Sequence, residues 1–164
     1  MLTIRAITRD SASDLADVLR VFMEAPSYTV LVEGRPPSNA DVDDFFNGML
    51  AGKVATDKFT IGFYVDTDMV GCADVIRSHP ANDCAFIGLL LFSQAHQGRG
   101  YGKIALNVIE EMARGWNCSK MQLASISTNP RAFAFWHREG FEVMYRTSIP
   151  RFIGDVIVME RAIA

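Results

Sequence analysis

Ser93-Gln94-Ala95-His96-Gln97-Gly98-Arg99-Gly100-Tyr101-Gly102 is the stretch that decides how this chain reads. It follows an almost wholly apolar run, Cys84 to Phe92, and opens into a stripe made of Tyr101, Ile104, Ala105, Val108, Ile109 and Met112. The run fits a central strand covered on both faces. The stripe has helical spacing, with Gly115 as its expected stop. A glycine-rich turn entering a helix is an anion cradle. Its glycines permit positive φ and close backbone approach. The first helical turn leaves N–H groups unpaired and carries a partial positive charge. A phosphate or pyrophosphate is the natural occupant.

Three nucleotide motifs compete for this loop. A Walker loop fails twice, because Ile104 follows Gly102-Lys103 and Gln97 holds the leading position. A dinucleotide fingerprint fits formally as Gly100-x-Gly102-x-x-Ala105. But the gap after Phe92 is too long for a tight strand–helix turn, and Met121 to Ile126 ends in no acid for a ribose. The third pattern, Gln/Arg-x-x-Gly-x-Gly/Ala, is met in full by Gln97, Gly100 and Gly102. Alone, the same pattern also suits glycines that merely close a turn.

Outward from the loop, the chain alternates regular segments with turn signals. Thr3 to Ile7 reads as a strand. Ser11 and Ser13 offer caps for a helix with the stripe Leu15, Val18, Leu19, Phe22 and Met23. Ala25 to Pro37, with three prolines and a glycine, reads as a loop of thirteen residues. Ser38 and Asp41 form a capping-box pattern for a second helix that would bury Val42, Phe45, Phe46, Met49 and Leu50 and stop near Gly52. Phe59 to Asp66, Met69 to Arg77 and Cys84 to Phe92 are strands, and the glycine-rich loop leads into the third helix. After the strand Met121 to Ile126, Asn129 can cap a fourth helix with Pro130 at its first position. Gly140 ends it, and Phe141 to Thr147 and Asp155 to Arg161 are the last strands. No repeat, low-complexity tract or linker interrupts residues 1–164, so one α+β domain with a mixed sheet is expected.

Composition agrees. With 49% apolar and 21% charged residues among 164, the chain can bury a core. Its longest apolar run is far short of the ~18 residues of a spanning helix. The N-terminal residues lack a signal-peptide pattern. Three cysteines without a Cys-x-x-Cys fit a reduced, cytoplasmic protein, with Cys84 a small core residue. No His/Cys/Asp spacing suggests a metal site. Residues 1–58 carry 6 Lys/Arg against 9 Asp/Glu, residues 59–93 carry 1 against 4, and residues 94–164 carry 9 against 6. An anionic ligand suits the last third, a cationic one the rest, and chance variation would look the same. The balance does not favour nucleic acid, and neither the composition nor the helices suggest a membrane.

The second informative segment is Asn129-Pro130-Arg131-Ala132-Phe133-Ala134-Phe135-Trp136-His137-Arg138-Glu139-Gly140-Phe141, 32 residues after Gln97. Together with the glycine loop it resembles the GNAT superfamily of acyl-CoA-dependent N-acetyltransferases. That family's pattern is Asn, Ala three on, an apolar residue six on, an aromatic seven on, then Gly-Phe. Asn129, Ala132, Phe135, Trp136, Gly140 and Phe141 meet it at every spacing. The element order also agrees over nearly the whole chain.

The resemblance implies a single domain with a mixed, mostly antiparallel sheet of about seven strands, about four helices and a splayed strand pair that admits acetyl-CoA. Carried over, Leu90, Leu91 and Phe92 serve the pantetheine arm. Gln97, Gly98, Arg99, Gly100, Tyr101, Gly102 and Lys103 hold the pyrophosphate. Asn129 bonds the pantetheine, and Phe135 and Trp136 flank it. Arg138 either meets a phosphate or is a solvated helix charge. The implied reaction is direct acetyl transfer to a primary amine on a small molecule or peptide, with no metal. Homodimers are common in the family. A backbone N–H near Phe92 could polarise the thioester carbonyl.

The chain also departs from the family. The position of the usual tyrosine acid is Trp136, and the two usual glutamate positions are Ala124 and Phe86. Tyr145 could replace the acid or be a packed strand tyrosine. Asp74, His79 or Glu33 could act as base through water or be structural. His96 and His137 read as surface residues. The acceptor region in this family is built by the first two helices and their connection, which points to Tyr28 and Glu33. The alternative to an enzyme is a catalytically weak or inactive acyl-CoA-binding sensor of the same fold.

Overall fold

A computed structural model describes residues 1–164. Its seven strands are β1 (Leu2–Ala6), β2 (Lys58–Val65), β3 (Asp68–Arg77), β4 (Cys84–Phe92), β5 (Lys120–Ile126), β6 (Glu142–Thr147) and β7 (Val156–Ala162). They form one sheet in the order β1-β2-β3-β4-β5-β7-β6. Every neighbouring pair is antiparallel except β4 and β5. The helices are α1 (Ala12–Met23), α2 (Pro26–Glu33), α3 (Asn39–Asn47), α4 (Tyr101–Gly115) and α5 (Pro130–Arg138).

Two cores sandwich the sheet. On one face Val18, Val21 and Phe22 of α1 and Val42, Phe45 and Phe46 of α3 pack on Tyr64, Met69, Cys72 and Leu91. On the other, Ala105, Leu106 and Ile109 of α4 and Trp136 of α5 pack on Phe63, Ala73, Val75, Ile87 and Leu123. Full burial of one such side chain contributes ~1.5–3 kcal/mol. Strand alternation, with side chains on opposite faces at successive residues, divides β3 and β4 between the two cores.

The caps follow the sequence. Ser11 accepts from the Asp14 N–H at the start of α1. Ser38 and Asp41 close a capping box on α3, with the Asp41 carboxylate accepting from the Ser38 N–H at 2.8 Å.

Several expectations need correction. The Ala25–Pro37 segment contains α2, which raises the helix number to five. Pro26 takes the first helical position, where its missing N–H costs nothing, and Gly34 (φ 73) closes the helix. The prolines therefore punctuate the helix rather than break it. α3 ends at Asn47, and Met49 is exposed. Leu15 and Met23 are exposed, and Val21 supplies the buried contact in their place. α4 runs through Gly115, and the left-handed residue beyond it is Asn117 (φ 61). Tyr145 is not a packed residue: on the edge strand β6 it is 57% exposed. All three cysteines are buried and free. No helix is long and apolar enough to cross a membrane.

Candidate active site

The site begins where β4 and β5 part. Their parallel pairing runs from Cys84↔Lys120 to Ile87↔Leu123 and then stops. Beyond it β4 stays with β3 as far as Phe92↔Gly71, and β5 stays with β7 as far as Ile126↔Val156. Each strand thus turns an unpaired edge to the gap. The Ser93 N–H donates to Val70 of β3. Alternation along β4 then points the Leu91 N–H toward β3 and leaves those of Leu90 and Phe92 facing the gap. Buried backbone groups require partners, so a ligand that accepts hydrogen bonds fits there.

The split is helped by a bulge. Asp74 pairs with Leu89 and Val75 with Ile87, so Gly88 is the extra residue on β4. A bulge bends a strand and locally breaks its ladder. The gap opens into a cavity of about 760 Å³ bounded by β4, β5, α5, the glycine loop and α2.

At one end of the cavity lies the loop. Gly98 (φ 76) and Gly100 (φ 81) are both left-handed, and Gly100 is the N-cap of α4. No side chain caps this helix, so its first N–H groups are available to an anion. The Gln97 carboxamide donates to the Phe92 carbonyl at 2.8 Å and ties the loop to the end of β4. Ser93 Oγ and His96 Nδ1 share a hydrogen bond of 2.7 Å, and the His96 ring stacks on Tyr101. His96 is therefore partly buried, whereas His137 is exposed.

α5 forms the opposite wall. Asn129 Oδ1 accepts from the Ala132 N–H, so the asparagine caps the helix while it borders the cavity. Phe135 packs against Gly102, where a Cβ would meet its ring at 3.1 Å. Trp136 is buried edge-on to Phe135 and Phe141. Lys103, Arg131 and Arg138 bring positive charge to the mouth, with Lys103 Nζ 3.5 Å from Glu139. Ser125, on β5, has a buried hydroxyl without a hydrogen-bond partner and also lines the cavity.

The fold brings most of the sequence-selected residues together. Tyr28, Leu90, Leu91, Phe92, Gln97, Gly98, Gly100, Tyr101, Gly102, Lys103, Asn129, Phe135, Trp136 and Arg138 all line the cavity. Arg99 and Glu33 do not. Arg99 is exposed. The Glu33 side chain is only 9% exposed and is held by Arg35 at 3.0 Å and Arg151 at 3.2 Å. It joins α2 to the segment between β6 and β7. Asp41 shares the Arg35 guanidinium at 2.7 Å. Burial would raise the Asp41 carboxyl, but hydrogen bonds from Arg35 and the Ser38 N–H outweigh it and hold it below the ordinary range. Sequence reading missed Ser125 and Arg131, for which residue type and spacing carry no signal.

Two titratable groups in and beside the cavity are perturbed: Tyr28 lines it, and Asp74 lies behind Gly88 without lining it. Tyr28 has its phenol pushed well up, first by burial and then by the Glu33 charge. Asp74, on β3, is raised from 3.8 to about 6 by burial, against the pull of Lys58. No three His, Cys, Asp or Glu side chains converge as metal ligands would.

The Acetyltransferase (GNAT) family model matches residues 18–141. The chain belongs to the GNAT acetyltransferase family. Solved GNAT structures share its whole architecture. An acetyltransferase from Thermus thermophilus is 24% identical with a TM-score of 0.75, over 99% of this chain and 97% of that one. The PaiA N-acetyltransferase from Thermoplasma acidophilum, solved in complex with coenzyme A, is 17% identical with a TM-score of 0.70, over 99% of each chain. The ribosomal-protein-S18-alanine N-acetyltransferase from Escherichia coli is 15% identical with a TM-score of 0.70, over 100% of this chain and 95% of that one. No curated protein sequence matches the chain. As a GNAT protein it is an acyl-CoA-dependent acyltransferase, and the residues of its cavity fit that ligand. The unpaired β4 and β5 edges, the orphan Ser125 hydroxyl and the left-handed glycines each offer what a pantetheine–pyrophosphate chain would use.

Proposed function

We propose that this GNAT protein transfers the acetyl group of acetyl-CoA directly to a primary amine on a small molecule or peptide. The observation that carries this reading is the gap between β4 and β5, which opens into a cavity lined both by the αL glycine loop and by Tyr28. One cavity thus offers an anion cradle together with room for an acceptor. The glycine loop and the first turn of α4 hold the pyrophosphate. The Leu90 and Phe92 N–H groups, Asn129 and Ser125 hold the pantetheine arm. Lys103, Arg131 and Arg138 stand at the phosphate mouth, and Arg99 adds to their field. The Phe92 N–H is placed to polarise the thioester carbonyl.

A thiol has a pKa near ~8.5, so its anion leaves without a strong acid. That accommodates Trp136 at the position where relatives carry a tyrosine. No cysteine serves as an acyl carrier in this scheme. Burial pushes Cys84 up to about 12, and Cys72 is raised still further by burial and the neighbouring Asp74.

The test is a panel of primary amines with acetyl-CoA, followed by released thiol and by mass of the product. Amine-dependent thiol release with an N-acetyl product is expected. If acetyl-CoA raises the melting temperature but no amine is acetylated, the protein is an acyl-CoA sensor and the enzymatic reading fails. Cytoplasmic residence and a homodimer belong to the same proposal, to be checked by fractionation and by sedimentation.

A further inference from the structure

The family's usual base positions hold Ala124 and Phe86 in this chain, yet an ammonium must lose a proton before it can attack a thioester. Asp74 itself does not line the cavity; its carboxylate lies directly behind Gly88, which does. We propose that this carboxylate, on β3, takes the ammonium proton through the opening at Gly88. The inference rests on the acetyl-transfer reading above.

Three observations place the group. First, Asp74 and the β4 bulge are one feature, because the register shift falls between Asp74 and Val75. A Cβ on Gly88 would lie 2.2 Å from Asp74 Oδ1. The carboxylate therefore occupies the space of the missing Gly88 side chain, and Gly88 is exposed and lines the cavity beside Leu89. Second, alternation along β3 puts Asp74 on the face shared with Cys72 and α1–α3, opposite the Ala73 and Val75 side. Tyr28 borders the cavity and feels the Asp74 charge. Third, the carboxylate is buried and only loosely paired. Its residue is 6% exposed, its one ion-pair partner is Lys58 Nζ at 3.6 Å, and that ammonium donates to the Gly48 carbonyl at 2.7 Å.

The charged and titratable groups around it come from each neighbouring element. Lys58 of β2 favours the ionised form, whereas Asp44 of α3 disfavours it. Cys72 of β3 and Tyr28 of α2 feel its charge and are themselves raised. Burial dominates and lifts the carboxyl from 3.8 to about 6, which makes it a base about a hundredfold stronger. It still ionises at neutral pH, the range in which a catalytic base works best.

The step balances. One ammonium proton passes to an Asp74 oxygen, and the nitrogen lone pair forms the N–C bond. The C–S bond breaks with its electron pair on sulfur. The second nitrogen proton ends on the thiolate, and Asp74 returns its own proton to solvent.

The experiment uses the full chain with spermidine, benzylamine and an alanyl peptide as probes. Asp74→Asn is expected to lower kcat ~10²–10⁴-fold while acetyl-CoA affinity stays within threefold. The wild-type acidic limb of kcat, with a midpoint near 6, should vanish in that variant. Lys58→Met removes the charge that favours the carboxylate, so its limb should move to higher pH with activity retained at pH 8. The double variant Asp74→Asn/Lys58→Met leaves no lone buried charge, so its low activity would not reflect misfolding. The carbon-13 NMR titration of the Asp74 carboxyl supplies a readout independent of any acceptor, with an expected midpoint near 6. Turnover within threefold of wild type in Asp74→Asn, or an NMR midpoint below 4, would overturn the inference. Wild-type protein that binds acetyl-CoA yet acetylates none of the probes, with the NMR midpoint near 6, would count against the acetyl-transfer reading instead.

Discussion

Gly100→Ala tests the anion cradle with the least disturbance. At Gly100 a Cβ would meet nothing within 4 Å, so the substitution adds no clash. Its whole effect comes from the backbone, which holds φ at 81°. An L-residue there costs ~1–2 kcal/mol. That strain has two places to appear. If the loop keeps its left-handed turn without ligand, the cost falls on folding. At ~2–4 °C per kcal/mol for a domain of this size, the melting temperature drops ~2–8 °C and the acetyl-CoA Kd is unchanged. If the loop relaxes without ligand, binding must restore the turn. Stability is then kept, and Kd rises ~5–30-fold at ~1.4 kcal/mol per decade. The exposed loop makes the second route the expected one. Calorimetric titration with acetyl-CoA, paired with thermal melts of the free variant, separates the two. If neither Kd nor melting temperature moves, the left-handed turn has no part in the cradle.

Three further outcomes follow from the packing. Glu33→Gln should lower stability by weakening the Arg35 and Arg151 pairs, while the amine KM stays within twofold; a melt and a KM series check both. Trp136→Ala should cost ~3–5 kcal/mol of stability in the free protein, because the indole belongs to the core under α5 as well as to the cavity; an unchanged urea midpoint would contradict this. Asp41 is held below its ordinary pKa in the folded state. Its contribution is thus present above ~pH 4 and lost as pH falls through the lower, folded value. Arg35→Met should flatten that acid dependence in urea unfolding below pH 4.

Much of the site was legible because its residues punctuate the chain. Gly98 and Gly100 mark the turn, Gly102 lets the first turn of α4 pack under Phe135, Pro130 and Asn129 mark the start of α5, and Gly140 its end. Such residues act through local backbone geometry, which sequence carries directly. α2 was hidden because its eight residues lie between prolines and its apolar positions make no long stripe. The pairing of Glu33 with Arg151 joins positions far apart in the chain, and no local pattern announces it. Asp74 was one of three possible bases in the sequence, with His79 and Glu33, and nothing local singled it out; its burial, its loose ion pair and its place behind Gly88 depend on the β4 bulge. Tyr145 looked like an ordinary strand residue because edge and interior strands share residue preferences.

The central claim is that acetyl-CoA lies between β4 and β5 with its pyrophosphate on the glycine loop. A crystal structure of the protein with acetyl-CoA tests it most directly. The account predicts pantetheine hydrogen-bonded to the Leu90 and Phe92 backbone and phosphate oxygens on the N–H groups from Gly98 to Lys103. Density for the cofactor elsewhere, or a gap closed by renewed β4–β5 pairing, would contradict it.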